Sequence, residues 1–134
     1  MPSIFTRIIN GEIPCYKIAE SDKYLAFLDI NPVSKGHTLV VPKQEIDYIF
    51  DLEDDTLAGL HLFAKKVARA IDTTIPCERV TVAVVGLEVP HAHIHLIPIQ
   101  AMRDFSFANP KLRLSKEEFE SIAERICDAL NHNS

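Results

Sequence analysis

The feature that most constrains this chain is a run in which histidines alternate with apolar residues, His91-Ala92-His93-Ile94-His95-Leu96. Successive side chains of a β-strand point to opposite faces, so a strand over 91–97 places the three imidazoles on one face. The apolar residues of the run share the other face and can enter a hydrophobic core. The sequence therefore predicts a strand that presents imidazoles in front of an apolar back.

Three roles for this histidine row are open. A structural role is unfavourable because three imidazoles lose hydration on burial and repel one another when charged. A metal site is the sharper alternative, but His91 and His95 lie about 13 Å apart along an extended strand, too far for bonds of about 2.1 Å to one ion. Nucleophilic catalysis fits better, because the neutral ring is well populated at pH 7 and attacks phosphorus. We expect His93 to attack, with His91 and His95 donating hydrogen bonds to phosphate oxygens.

Composition narrows the classes of partner. The chain has 134 residues, a net charge of −5 and no basic cluster, which disfavours a polynucleotide partner. It has no apolar run long enough to cross a bilayer and no signal-peptide layout, so we expect a cytoplasmic protein without a membrane partner.

Three scattered cysteines, Cys15, Cys77 and Cys127, argue against a disulfide framework and a cysteine zinc site, and we expect them to be buried free thiols. Four glycines form neither a P-loop nor a G-x-G-x-x-G motif.

The order of predicted elements favours an α+β fold. Ser3 can cap a short helix that ends at Asn10-Gly11, Asp51 can cap a long helix, and Ser115 with Glu118 forms a capping box for the last helix. Strands are predicted over 15–20, 24–28, 37–41, 80–84 and 91–97. Consecutive strands joined by short turns favour antiparallel pairing.

Four blocks, in order, resemble the histidine triad (HIT) family. The stretch 91–97 matches the family's pattern of alternating histidines, and 4–14, 25–32 and 36–43 look like its earlier blocks. The resemblance runs from about Ile4 to Pro98. It implies a HIT-like fold, a mainly antiparallel five-stranded sheet with two main helices and a short N-terminal helix. We expect a single domain over 1–134, with a core of about 4–104 and a C-terminal extension whose helix covers about 115–130.

The resemblance also implies a function, since the family consists of nucleotide hydrolases and nucleotidyl transferases that are usually homodimers. His93 matches the nucleophile that takes up the nucleotidyl group, His91 and His95 match its supporting partners, and His37 matches a fourth histidine. The implied substrate is a purine nucleotide, with no metal and no cofactor required. The positions implied to contact it are Phe5, Ile8, Phe27, Asp29, Ile30, Gly86 and Glu88. The apolar residues among these positions, Phe5, Ile8, Phe27 and Ile30, could instead be core residues. Asp29 could form the turn before Asn31-Pro32.

Departures from the family pattern leave the activity open. Ser3 and Thr6 stand where many bacterial relatives carry a zinc-binding cysteine pair, so we expect that zinc to be absent. Glu45 occupies a position often filled by histidine. The loop before Pro90 is short, with Leu87 where glutamine is common. The leading hypothesis is a hydrolase of AMP conjugates, such as phosphoramidates or dinucleoside polyphosphates. The alternatives are a slow-turnover nucleotide-binding sensor and a nucleotidyl transferase, and the C-terminal helix could cover the site or join a dimer contact.

Overall fold

The computed structural model describes residues 2–133 and contains a five-stranded antiparallel sheet with strand order β1-β2-β3-β5-β4. Three α-helices accompany the sheet, which confirms the predicted α+β class. The elements in chain order are α1 (Ile4–Ile9), β1 (Lys17–Glu20), β2 (Tyr24–Leu28), β3 (Thr38–Pro42), α2 (Asp54–Thr74), β4 (Arg79–Ala83), β5 (Ile94–Ile99) and α3 (Lys116–Asn133).

The two faces of the sheet are covered by different elements. On one face α2 and α3 pack over a large core in which Ala92, Ile94 and Leu96 take part, as the alternating pattern predicted. On the other face α1 contributes Phe5 to a smaller cluster with Leu25, Phe27, Leu39 and Val41. Strands β2 and β3 are buried along their whole length, so they are covered on both faces of the sheet.

Local capping explains where two helices begin. The Ser3 hydroxyl accepts a hydrogen bond from the Thr6 N–H at 3.0 Å, and α1 ends at Ile9, followed by Asn10 as its C-cap and Gly11 at φ 81°. At α3 the Glu118 N–H donates to Ser115 Oγ at 3.1 Å and the Ser115 N–H donates to Glu118 Oε1 at 3.3 Å. Both predicted caps are confirmed.

Some predicted boundaries are wrong. Asp51 does not cap the long helix; it lies in a 3-10 turn over Ile49–Asp51, and α2 begins at Asp54 after Glu53. Strand β5 begins at Ile94 and not at residue 91, because the Ala92 N–H leaves the ladder and donates to the Ile46 carbonyl at 2.7 Å. The three cysteines are free but only partly buried.

Helix α3 lies away from the histidines. It packs against α2 and β1, and the Phe119 ring stacks on Tyr16 with centroids 4.8 Å apart. The suggestion that this helix covers the site is therefore wrong. None of the helices within residues 2–133 combines the length and apolar character that a membrane span needs.

Candidate active site

A cavity of about 460 Å³ lies on the α1 side of the sheet, within the range of about 300–1,000 Å³ that is usual for small-molecule sites. It is lined by every predicted site residue except His91, namely Phe5, Ile8, Phe27, Asp29, Ile30, His37, Gly86, Glu88, His93 and His95. Residues that lie more than 80 positions apart in the chain thus meet at one cavity.

The His93 ring has a defined orientation. Its Nδ1 lies 2.7 Å from the His91 carbonyl oxygen. A carbonyl can only accept, so Nδ1 carries the proton and Nε2 keeps its lone pair. Burial lowers the pKa of His93 below 6.5, while the hydrogen bond to His91 and the charges of Asp29 and Glu88 act in the opposite direction. At pH 7 His93 is therefore a neutral imidazole with an unprotonated Nε2.

A second pair of histidines is connected through hydrogen bonds whose direction can be assigned. The Val33 N–H donates to His37 Nδ1 at 3.1 Å, so in the neutral His37 ring the proton is on Nε2. That Nε2–H donates to His95 Nδ1 at 3.0 Å, which leaves His95 with its proton on Nε2. Burial lowers the pKa of His37 to about 4 and that of His95 to about 3, so both rings are neutral at pH 7.

His91 differs from the prediction. It is fully buried on the same side of the sheet, and both of its ring nitrogens have protein partners. Nε2 donates to the Pro42 carbonyl at 2.8 Å, and Nδ1 accepts from the Ser3 hydroxyl at 2.8 Å. The predicted hydrogen bond from His91 to a phosphate oxygen does not fit this geometry. Its connection to the cavity is through its carbonyl oxygen, which orients His93.

Glu45, whose effect the sequence left open, belongs to a hydrogen-bonded cluster beneath His91. Its Oε1 accepts from the Ser3 N–H at 2.6 Å and from the Thr6 hydroxyl at 2.5 Å. Ser3 in turn contacts His91 Nδ1. At the position where relatives were expected to hold zinc, this chain has a hydrogen-bonded cluster that fixes α1 against His91.

Apolar and acidic residues line the other half of the cavity. Phe5 and Phe27 meet edge to face with centroids 5.6 Å apart, and both are buried, so they are core residues as well as lining residues. Ile30 is 63% exposed and is therefore not a core residue. Asp29 Oδ1 accepts from the Asn31 N–H at 2.8 Å, which forms the predicted turn, while Oδ2 lies 3.5 Å from His37 Nε2. Such a cavity can hold a planar base and a group with hydroxyls.

The loop before the histidines is open. Leu87 is 89% exposed, and Gly86 has a φ of 74° with free space around the position of a Cβ atom. From Val84 to Pro90 the sequence contains no hydroxyl or amide side chain. Any contact from this loop to a phosphate must therefore come from its backbone or from the Glu88 carboxylate.

Among the lining residues that were not predicted, two come from the chain after β5 and lie near the histidines or carry a charge. The Phe107 ring lies 4.8 Å from the His95 ring between centroids, and Lys111 also lines the cavity. Both belong to the irregular stretch between β5 and α3, where no motif or periodicity indicates a function. Only the three-dimensional arrangement identifies them.

The residues that could bind a metal ion are Asp29, His37 and His95, whose ligand atoms lie within 4.8 Å of one another. An ion bound to His37 Nε2 and His95 Nδ1 would replace the hydrogen bond that joins them. The donor set is thus suitable in type, but it is already used within the protein. The absence of a metal requirement stays a prediction.

Comparison with known proteins agrees with this geometry. The HIT domain family model matches residues 10–102. An uncharacterized HIT-like protein of Borreliella burgdorferi is 37% identical over 92% of this chain and 94% of its own length. The adenosine 5'-monophosphoramidase of Schizosaccharomyces pombe is 36% identical over 94% of this chain and 96% of its own. A crystal structure of a hypothetical histidine triad nucleotide-binding protein from Sulfolobus tokodaii superposes with a TM-score of 0.86 at 30% identity, covering 96% of this chain and 92% of that one.

Proposed function

The chain belongs to the HIT domain family of nucleotide hydrolases and transferases, and from this premise we propose that it hydrolyses conjugates of a nucleoside 5'-monophosphate, with AMP as the released product. The observation that carries the proposal is the orientation of His93, whose Nδ1–H donates to the His91 carbonyl and leaves the Nε2 lone pair free. The base would lie against Phe27 and Ile30, and Asp29 would accept from the ribose hydroxyls.

The covalent step follows from the tautomers. His93 Nε2 attacks phosphorus and forms an N–P bond while the bond from phosphorus to the leaving group breaks. The leaving group departs with that electron pair and takes a proton from solvent. The positive charge that develops on the His93 ring is stabilised by the His91 carbonyl, and the His95 Nε2–H can donate to a phosphoryl oxygen. Water then attacks phosphorus: a P–O bond forms while the N–P bond breaks, its electron pair returns to His93 Nε2, and the water gives up one proton to solvent, which restores neutral His93.

The test is release of AMP from adenosine 5'-phosphoramidate by purified protein. We expect turnover in the wild type and a loss of at least about 1,000-fold in His93→Ala, because the nucleophile is removed. His93→Asn is the matched variant, since its side-chain amide can still donate to the His91 carbonyl. His61→Ala is the control, because His61 is an exposed histidine on α2. Equal rates in wild type and both His93 variants would refute a covalent mechanism.

A second function, slow-turnover nucleotide binding, is favoured by one observation. The short open loop from Val84 to Pro90 has no hydroxyl or amide side chain to contact a leaving group. Tight AMP binding by a wild-type protein that releases no AMP from the phosphoramidate would support the sensor in place of the hydrolase.

We also propose a homodimer that acts in the cytoplasm. Strand β4 forms one edge of the sheet, and Val82 on it is 57% exposed, which favours burial against a second copy. The three free cysteines are consistent with a reducing compartment. Sedimentation velocity should give a dimer for the wild type and for Leu62→Lys on α2, and a smaller species for Val82→Lys. A monomeric wild type would refute the dimer, and cell fractionation tests the location.

A further inference from the structure

The segment between β5 and α3 covers the end of the cavity that holds His37 and His95. The Phe107 ring lies edge-on to His95 and 6.3 Å from the His37 ring between centroids. The Leu112 N–H donates to the Pro32 carbonyl at 2.8 Å, which fixes the segment to the turn after β2. This part of the cavity lining therefore comes from chain beyond residues 10–102, the region that matches the HIT domain.

Lys111 is held in this segment by Phe107. Its Nζ donates to the Phe107 carbonyl at 2.7 Å and lies 5.7 Å from the centroid of the Phe107 ring. An ammonium group has three N–H donors, so two remain for a ligand in the cavity. The backbone bond limits the conformations of a side chain that is otherwise long and flexible.

The charges around the cavity give Lys111 its importance. Among the described residues that line the cavity, it is the one lysine or arginine, whereas Asp29 and Glu88 are acidic. The lining histidines are neutral at pH 7, and the charge of Lys111 is among the causes that lower the pKa of His37 and His95. A phosphate that enters this cavity would meet two carboxylates and one ammonium group.

Resting on the proposed function, we propose that Lys111 is the phosphate-binding cation of this site. Its ammonium group donates to the nonbridging oxygens of the nucleotide phosphate and offsets the repulsion from Asp29 and Glu88. The short loop from Val84 to Pro90 has no hydroxyl or amide side chain that could bind the phosphate, and Lys111 supplies that contact instead. Lys111 lies outside residues 10–102, so the match to the HIT domain model does not assign it a role.

Calorimetric titration with AMP and with adenosine tests the proposal, since the two ligands differ only in the phosphate. In Lys111→Met, which keeps an apolar side chain of similar length, we expect AMP to bind about 5- to 50-fold more weakly and adenosine to bind as before. Lys111→Arg should retain most of the AMP affinity. Lys116→Met is the matched control, because Lys116 lies on α3 beside Glu120 and outside the cavity. The difference between wild type and Lys111→Met should shrink as salt is raised.

The outcomes separate this inference from the proposed function. Equal AMP affinity in wild type and Lys111→Met, with normal turnover in the wild type, would overturn the role of Lys111 alone. An equal loss for adenosine and AMP would also overturn it, because the residue would then shape the cavity and not bind phosphate. A wild type that binds neither ligand and releases no AMP would overturn both proposals.

Discussion

Replacing Ser3 with alanine should destabilise the protein far more than the replacement of an exposed serine would. Ser3 is 5% exposed, and its hydroxyl contacts two residues, Thr6 and His91. It accepts from the Thr6 N–H at the start of α1 and donates to Nδ1 of the fully buried His91. The variant removes both hydrogen bonds while changing the volume of the side chain very little.

The magnitude follows from those two contacts. Loss of a serine cap costs about 1 kcal/mol. A buried acceptor left without a donor costs about 1–3 kcal/mol, and His91 Nδ1 would be such an acceptor. The Thr6 hydroxyl lies 3.4 Å from the same nitrogen but donates to Glu45, so it can replace Ser3 only in part. We therefore expect the free energy of unfolding to fall by about 2–3 kcal/mol.

Urea denaturation followed by circular dichroism measures this loss. With an m-value of about 1–3 kcal/mol/M, the midpoint should fall by about 0.7–3 M at unchanged m. Protein concentration must be held constant, because dimerisation would stabilise the folded state. Ser121→Ala is the matched control, since Ser121 is exposed on α3 and its replacement should be neutral or slightly stabilising. A loss below about 0.5 kcal/mol in Ser3→Ala, or one equal to that of Ser121→Ala, would refute the reasoning.

Two further predictions concern the histidines. Burial lowers the pKa of His37 to about 4 and that of His95 to about 3, whereas both histidines have a pKa near 6.5 in the unfolded chain. As the pH falls below about 6.5, the unfolded chain therefore binds protons before the folded protein does. The free energy of unfolding should decrease from pH 6.5 towards pH 4. Urea midpoints at pH 5, 6, 7 and 8 check this, and stability that rises on acidification would contradict it. Treatment with EDTA followed by gel filtration should leave AMP release unchanged, since the proposed attack by His93 requires no metal. Lost activity that zinc restores would contradict this and would point to Asp29, His37 and His95 as the candidate ligands.

Much of the fold could be predicted from sequence because local signals and long-range packing agree. The alternation of histidines with Ala92, Ile94 and Leu96 correctly predicted which side chains enter the helix-covered core. The Ser115 and Glu118 capping box is a local interaction, so it could be recognised without tertiary information. Recognition of the family blocks identified the residues that meet at the cavity.

The rest depends on tertiary contacts that no local pattern contains. Strand β3 ends at Pro42, which has no N–H to continue the ladder. The Pro42 carbonyl accepts a hydrogen bond from His91 Nε2. The side chain of His91 therefore turns to a structural partner although its place in the repeat equals that of His95. Asp51 stands close to Glu53 and Asp54, so the true start of α2 could not be chosen from residue type alone. Lys111 becomes a cavity residue through long-range contacts of its segment, such as the hydrogen bond of Leu112 to the Pro32 carbonyl and the packing of Phe107 on His95.

The arrangement of β5 also links activity to correct folding. At the start of β5 the side chains of Ala92, Ile94 and Leu96 lie in the helix-covered core, whereas His93 and His95 line the cavity. A shift in pairing by one residue would exchange these two sets. The imidazoles would then lie in the hydrophobic core, and isoleucine and leucine side chains would line the cavity in their place. A misaligned chain would thus be unstable and would lack the imidazoles of the cavity, so AMP release, the proposed activity, would report native strand alignment during refolding.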